Sequence, residues 1–316
     1  MKVIFMGTPD FAVESLIKIH ASQHEVVAVI TAPDKPAGRG KKLSSSAVKK
    51  KAEELGLPVL QPTNLKDEGF LEDLKSYQAD LFVVVAFRML PKVVWDMPTQ
   101  GTINLHASLL PNYRGAAPIN WAIINGEEET GVTTFFIREK IDTGDIILQE
   151  KCSIAPTDNA GVLHDKLMKI GGKLVVTTLD KLETDTYERI PQDKLIEGKS
   201  NEAPKIFRET CKVDWNKNTQ DVYNLIRGLS PYPAAWSKVI DMNGKEKQLK
   251  LYAAEHTEEA PTLAPGEIII ENGRFFAGCK DGVLAITELQ MEGKKRMDCK
   301  SFLLGCQLED RCRFID

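Results

Sequence analysis

The chain has no run of about eighteen apolar residues, the length that crosses a bilayer as a helix, although 42% of its 316 residues are hydrophobic. Met1-Lys2 runs straight into the strand-like Val3-Ile4-Phe5-Met6, so neither a membrane span nor a secretory signal is expected and the location reads as cytoplasmic. No Cys-x-x-Cys pair occurs among Cys152, Cys211, Cys279, Cys299, Cys306 and Cys312. This spacing argues against a zinc site or a disulfide framework and for reduced thiols. Glycine is scarce where a dinucleotide would need it, because Gly7-Thr8-Pro9-Asp10 carries one glycine in place of the three of a nucleotide fingerprint. A nicotinamide or flavin cofactor is therefore not expected. The turn reads as a strand-to-helix corner with Thr8 as N-cap and Pro9 at the first helical position. An excess of positive charge is absent as well, since the formal net charge is −4.

What is present is strand and helix in alternation. Residues 2–6, 24–31, 58–61 and 81–87 read as strands. They are separated by a helix carrying Phe11, Val13, Leu16 and Ile17, one capped from Ser44-Ser45-Ser46, and one around 71–77, which is the pattern of a parallel sheet with crossovers. Residues 81–87 are nearly all apolar, as in a central strand covered on both faces. The following turn, Arg88-Met89-Leu90-Pro91, leaves the carboxyl edge, where open α/β sheets bind ligands. Strands at 101–107, 131–138 and 146–154 and a helix at 159–182 complete this part. Composition shifts at 183–204, which is charged and poor in apolar residues. The expected domains are 1–189 and 207–316, joined by a linker at 190–206. Beyond it, a helix at 219–227 and strand-like runs at 235–240, 248–255, 267–270, 274–278 and 283–291, with glycine turns between them, point to a small barrel of the oligonucleotide-binding kind or a small sandwich. The fold class is α/β, a Rossmann-like parallel-sheet domain followed by a small OB-like β-barrel.

Two stretches carry chemistry. In Thr102-Ile103-Asn104-Leu105-His106 the apolar residues alternate with an amide and an imidazole, so Asn104 and His106 emerge on one strand face. That is a site geometry, and also the geometry of a hydrogen-bonded strand end. Asp142-Thr143-Gly144-Asp145 reads as a tight turn in which the glycine supplies positive φ. Charge is also uneven. Lys35, Arg39, Lys41, Lys42, Lys49, Lys50 and Lys51 fall within a stretch containing no acid, whereas residues 201–316 hold 17 basic against 18 acidic residues. The Gly38-Arg39-Gly40-Lys41-Lys42 tip is a flexible basic finger suited to phosphate, or a solvated loop. Lys294-Lys295-Arg296 has the same two readings.

Asn104-Leu105-His106-Ala107-Ser108-Leu109-Leu110-Pro111-x-Tyr113-Arg114-Gly115-x-Ala117-Pro118-Ile119-x-Trp121, followed by Asp142-Thr143-Gly144-Asp145, closely resembles the formyltransferases that use 10-formyltetrahydrofolate. Along its whole length the chain is most similar to the branch of that family whose acceptor is initiator Met-tRNA. It shares Gly7-Thr8-Pro9, the basic finger and Arg227-Gly228-Leu229-Ser230-Pro231-Tyr232-Pro233-Ala234. The resemblance implies transfer of a formyl group to the methionyl amine for translation initiation. Asn104, His106 and Asp142 would be the catalytic residues, Asp145 a structural acid, and no metal would be needed. Ser108, Leu109, Leu110 and Pro111, with Phe87, Arg88 and Met89, would line the folate pocket, the last three departing from the tyrosine and glycine more usual there. Arg39, Lys41 and Lys42 would meet the acceptor end of the tRNA, and the second domain would add a further RNA surface. No membrane and no obligate protein partner is implied. Three other readings stay distinguishable. An amino-sugar-nucleotide formyltransferase would lack the finger, a formyltetrahydrofolate hydrolase would need neither finger nor second domain, and a non-enzymatic RNA binder would not need the Asn-His-Asp set.

Overall fold

The computed structural model describes residues 1–37, 42–195, 200–257, 261–305 and 308–315. Contacts gather them into two units: Met1–Gly115 with Glu129–Ser153 and His164–Ala203, and Ala116–Glu128 with Ile154–Leu163 and Pro204–Asp316.

The first unit is built on a seven-stranded sheet. Its spatial order is Ile146–Ser153, Glu129–Phe136, Thr102–His106, Leu81–Val85, Lys2–Gly7, Glu25–Ile30 and Val59–Leu60. Lys2–Gly7 pairs in parallel with both of its neighbours, and Leu81–Val85 in parallel with Thr102–His106, so crossovers of the expected kind connect these strands. Glu129–Phe136 reverses direction against Thr102–His106. All five residues of Leu81–Val85 are buried, the outcome its unbroken apolar run requires of a strand covered on both sides. Ile4, Met6, Ile30, Phe82 and Val84 meet Phe70, Leu74 and Val94 in one core cluster.

Helix ends follow local chemistry. The Ser46 hydroxyl accepts from Lys49 N at 3.0 Å and starts Ala47–Glu54, and Asp67 accepts from Phe70 N at 3.0 Å and starts Glu68–Ser76. The expected Thr8 cap is absent. The chain first makes a 3-10 turn, Asp10–Ala12, whose cap position is Pro9 without a side-chain bond, and the helix Val13–His20 follows it. The flanks of the basic finger also differ from a plain loop, since Lys35–Ala37 pairs antiparallel with Lys42–Ser44.

Helix Ala160–Glu183 fixes which face of Thr102–His106 is available. A Cβ on Gly171 would stand 2.7 Å from Leu105 Cδ2, so the helix approaches this strand closely only because position 171 has no side chain. Ile103 and Leu105 are buried at 0% and 3% exposure, and the alternate residues Asn104 and His106 are left for the opposite face.

The second unit is a closed barrel of six strands. Around it run Glu246–His256, Ala235–Ile240, Arg311–Ile315, Glu267–Glu271, Arg274–Gly278 and Val283–Met291, and the last pairs back with Glu246–His256. Closure excludes the sandwich reading. The strand Arg311–Ile315 was not expected, and it is the one that bridges Ala235–Ile240 to Glu267–Glu271. Phe314 stacks on Trp215 with ring centroids 4.4 Å apart, which seats this strand in the core beside Ile268, Phe275, Leu284 and Ile286. Helix Thr219–Gly228, capped by the Asn218 side chain, packs against helix Pro118–Ile124: the Asn120 amide donates to Gly228 O at 2.7 Å. Among the described residues no helix is long and apolar enough to cross a membrane.

Candidate active site

His106 closes its strand at 7% exposure. Its Nε2 lies 2.8 Å from the Tyr113 carbonyl oxygen. A carbonyl can only accept, so Nε2 carries the proton, and in the neutral ring Nδ1 is left with a lone pair. That nitrogen faces Asp142 Oδ2 at 3.8 Å, outside direct hydrogen-bond range and suited to a shared water or to an imidazolium. The tautomer is thus set by a backbone carbonyl. Asn104, two residues earlier on the same face, is half-buried, and its side-chain amide bonds to no other described residue. It is an available donor.

The Asp142 turn is held from several sides. Asp142 Oδ2 accepts from Gly115 N at 3.0 Å. The residue has φ 53°, a left-handed conformation that costs a non-glycine residue about 1–2 kcal/mol. Positive φ therefore belongs to Asp142, whereas the turn had been expected to place it on Gly144. The glycine is needed for a different reason: a Cβ there would lie 1.6 Å from the Phe136 carbonyl oxygen. Asp145 is buried at 6% exposure and pairs with Arg138 at 2.5 Å. Gln192 binds the Asp142 and Gly144 carbonyls through Nε2, at 2.9 and 2.8 Å, and accepts from Arg114 through Oε1.

The loop from Ser108 to Pro111 forms a packed wall. Ser108 is fully buried, and its hydroxyl donates to Asn112 O at 2.6 Å while its carbonyl accepts from Thr133 Oγ1 at 2.6 Å. Leu110 is 2% exposed and packs with Phe135 and Ile146, Pro111 is buried, and Leu109 is half-buried. Thr133 also accepts from Leu110 N at 3.1 Å, and the Gln149 amide reaches both Thr133 Oγ1 and Leu110 O. Side chains from Ser108 and Leu110 are thus committed to the wall itself. Across the neighbouring strand, Phe87 is half-buried, Met89 is 73% exposed, and the Arg88 guanidinium donates to the Pro62 and Thr63 carbonyls.

Arg39 and Lys41 lie outside the described residues, and of Lys42 only the backbone is described. Two of the remaining cations of that run are engaged within the chain. Lys49 pairs with Asp34 at 2.6 Å and Lys51 with Glu54. The Lys49 ammonium is the main reason that the Asp34 carboxyl sits below its ordinary range.

Gln192, Gln149, Thr133 and the Tyr113 carbonyl were not anticipated. The last has no residue-type signal, and Gln192 falls in a stretch whose composition reads as linker. One further feature stands apart from this cluster. A cavity of 780 Å³ opens at the other end of Thr102–His106, lined by Trp95, Gly101, Phe136, Arg138, Tyr187 and Arg189 among others. No residue predicted for the site borders it. Among the described residues no group of three or more His, Cys, Asp or Glu is placed to hold a metal ion.

Known proteins resemble the chain over both parts. Residues 1–179 match the family model for formyl transferase, and residues 205–307 match the model for the formyl transferase C-terminal domain. The methionyl-tRNA formyltransferase of Bacteroides thetaiotaomicron is 51% identical over 98% of this chain and 97% of its own length. That of Flavobacterium johnsoniae is 52% identical over 99% and 98%. Among solved structures, HypX from Aquifex aeolicus in complex with tetrahydrofolic acid superposes with TM-score 0.65 at 20% identity, covering 96% of this chain and 47% of that one. An N-formyltransferase from Helicobacter canadensis in complex with folinic acid and dTDP-3-aminofucose gives TM-score 0.66 at 22% identity, covering 94% and 100%. These two structural likenesses concern the fold. With both halves matched by formyltransferase models and about half of all positions identical to full-length relatives, the chain belongs to the methionyl-tRNA formyltransferase family.

Proposed function

We propose that the chain transfers the formyl group of 10-formyltetrahydrofolate to the free amino group of methionine on initiator Met-tRNA, for translation initiation, and that Asn104, His106 and Asp142 carry the reaction. The observation that supports this most is the pairing of an uncommitted amide with an imidazole whose one open nitrogen faces a carboxylate, all on one side of a single strand. The folate co-substrate supplies a formyl carbon already bonded to a nitrogen leaving group. When the methionyl nitrogen adds to that carbon, charge gathers on the formyl oxygen, and the Asn104 amide is the donor free to meet it. The amine must then lose a proton, and the folate nitrogen must gain one as its bond to carbon breaks.

His106 Nδ1 is suited to carry that proton, because Nε2 is already engaged by the Tyr113 carbonyl. It accepts from the amine, becomes an imidazolium opposite Asp142, and returns the proton to the leaving nitrogen. Asp142, 3.8 Å away, stabilises the imidazolium or orders the water that bridges to it. Ser108, Leu109, Leu110 and Pro111 form one wall for the folate, with Phe87, Arg88 and Met89 opposite. Arg39, Lys41 and Lys42 take the tRNA acceptor end. A family member using this acceptor also has a reason to retain a barrel with an RNA-facing surface.

The test offers labelled formyl donor with initiator Met-tRNA, elongator Met-tRNA and an amino-sugar nucleotide in separate reactions. Label is expected on the initiator tRNA. Transfer to the sugar nucleotide alone would overturn the assignment.

A further inference from the structure

Gln192, at 2% exposure, opens the short helix Gln192–Leu195. Its Nε2 donates to Asp142 O at 2.9 Å and Gly144 O at 2.8 Å, and its Oε1 accepts from Arg114 Nε at 2.9 Å and Nη2 at 2.6 Å. A primary amide offers two N–H donors and an oxygen with two lone pairs, so all of this side chain's bonding capacity is committed. One end holds the turn that carries Asp142. The other holds Arg114, whose neighbour Gly115 donates its N–H to Asp142 Oδ2. The same amide therefore braces the carboxylate's own backbone and the segment that hydrogen-bonds the carboxylate.

The backbone on either side of Gln192 is anchored. Ile190 and Ile146 exchange two hydrogen bonds of 2.9 Å. Downstream, Tyr113 N donates to Asn201 O at 2.6 Å, and Glu202–Ala203 pairs in parallel with Arg114–Gly115. Position 115 must be glycine for this, since a Cβ there would stand 2.4 Å from the Ala203 carbonyl oxygen. A stretch whose composition reads as a spacer is thus paired into the walls of the catalytic cluster. Asp142 in turn has the left-handed φ of 53°, a conformation that persists only when its surroundings impose it.

We propose that Gln192 is a positioning residue for the transfer reaction: it fixes the Asp142 carboxylate against His106 and so sets the turnover rate without touching either substrate. The inference rests on the reading that Asp142 serves the proton transfer. Gln192→Glu is the sharper probe. It keeps shape and can keep the Arg114 pair, but it turns oxygen lone pairs toward two carbonyl oxygens that now receive N–H donors. Gln192→Met keeps approximate volume and removes all four hydrogen bonds.

The experiment measures kcat and both KM values for wild type, Gln192→Glu, Gln192→Met, Asp142→Asn and the double variant Asp142→Asn/Gln192→Met, with rates normalised to the folded fraction from a thermal melt. Each Gln192 variant is expected to lower kcat roughly 10- to 100-fold, as a displacement of about 1 Å does, with both KM values held within about threefold. In the Asp142→Asn background the added Gln192→Met change is expected to cost less than about threefold, because residues acting as one unit are not additive. Full turnover in a folded Gln192→Glu protein, or the same loss in both backgrounds, overturns the proposal. Should Gln192→Met fail to fold, Gln192→Glu decides. Wild-type turnover by Asp142→Asn removes the underlying reading and this one with it, whereas a slow Asp142→Asn beside fast Gln192 variants defeats this inference alone.

Discussion

Replacing Gly144 by alanine tests the turn with the smallest possible change. The added methyl group would start 1.6 Å from the Phe136 carbonyl oxygen and 2.8 Å from its carbon, and both are backbone atoms of a paired strand that cannot rotate away. Even a contact of 3.0 Å requires 1.4 Å of separation. Asp142 stands two residues earlier, its carboxylate 3.0 Å from Gly115 N and 3.8 Å from His106 Nδ1, so a displacement of that size breaks the first contact and changes the second. Misplacement of a catalytic group by about 1 Å costs on the order of a hundredfold in rate, and overpacking costs about 1–3 kcal/mol in stability. Gly144→Ala should therefore fold with a lowered Tm and show kcat reduced about a hundredfold in the formyl-transfer assay. A Gly144→Ala protein with kcat within about threefold of wild type would refute the claim that this turn positions the chemistry.

Other substitutions separate chemistry from scaffold. Asn104→Ala should lose about a hundredfold or more in kcat with little change in Tm, because the amide it removes bonds to no other described residue; an equal loss in stability would mark the amide as structural. Arg39→Ala should raise KM for Met-tRNA or lower kcat while leaving folate binding intact, and equal damage to folate affinity would count against its tRNA role. Phe314→Ala removes the partner stacked on Trp215 and should cost about 3–5 kcal/mol in denaturant unfolding of the barrel, so a loss below about 1 kcal/mol would contradict closure by the last strand. Burial pushes the Cys279 thiol from 9.0 up to about 12. An acid whose folded pKa is raised lends stability that is full below 9.0 and declines as pH rises toward 12. Native protein at pH 9 should accordingly leave Cys279 unalkylated, and rapid labelling there would contradict its burial.

The sequence spoke clearly where one residue type permits one environment. The apolar run at 81–85 became a fully buried strand, and the alternation at 102–106 put Ile103 and Leu105 into the core and left Asn104 and His106 together. Strands Ala235–Ile240, Arg274–Gly278 and Val283–Met291 matched their patterns. What escaped were properties set by distant backbone. Gly144 looked like the residue that turns the chain, but a carbonyl on the neighbouring strand is what excludes a side chain there, and Asp142 takes the positive φ. The His106 tautomer depends on the Tyr113 carbonyl, which any residue would present. Arg311–Ile315 is short and carries two arginines, so its inward Phe314 was too little to mark a strand that closes a barrel. Gln192 sits among charged residues, and its importance exists only once Arg114 and Asp142 have been brought to it.

The most direct test is a structure with a non-reactive folate analogue and a methionyl-adenosine acceptor bound. The account predicts the carbon corresponding to the formyl group within about 3.5 Å of the Asn104 amide and of His106 Nδ1, the separation at which reacting groups are poised. A folate seated instead in the 780 Å³ cavity between Trp95, Arg138 and Arg189 would contradict it.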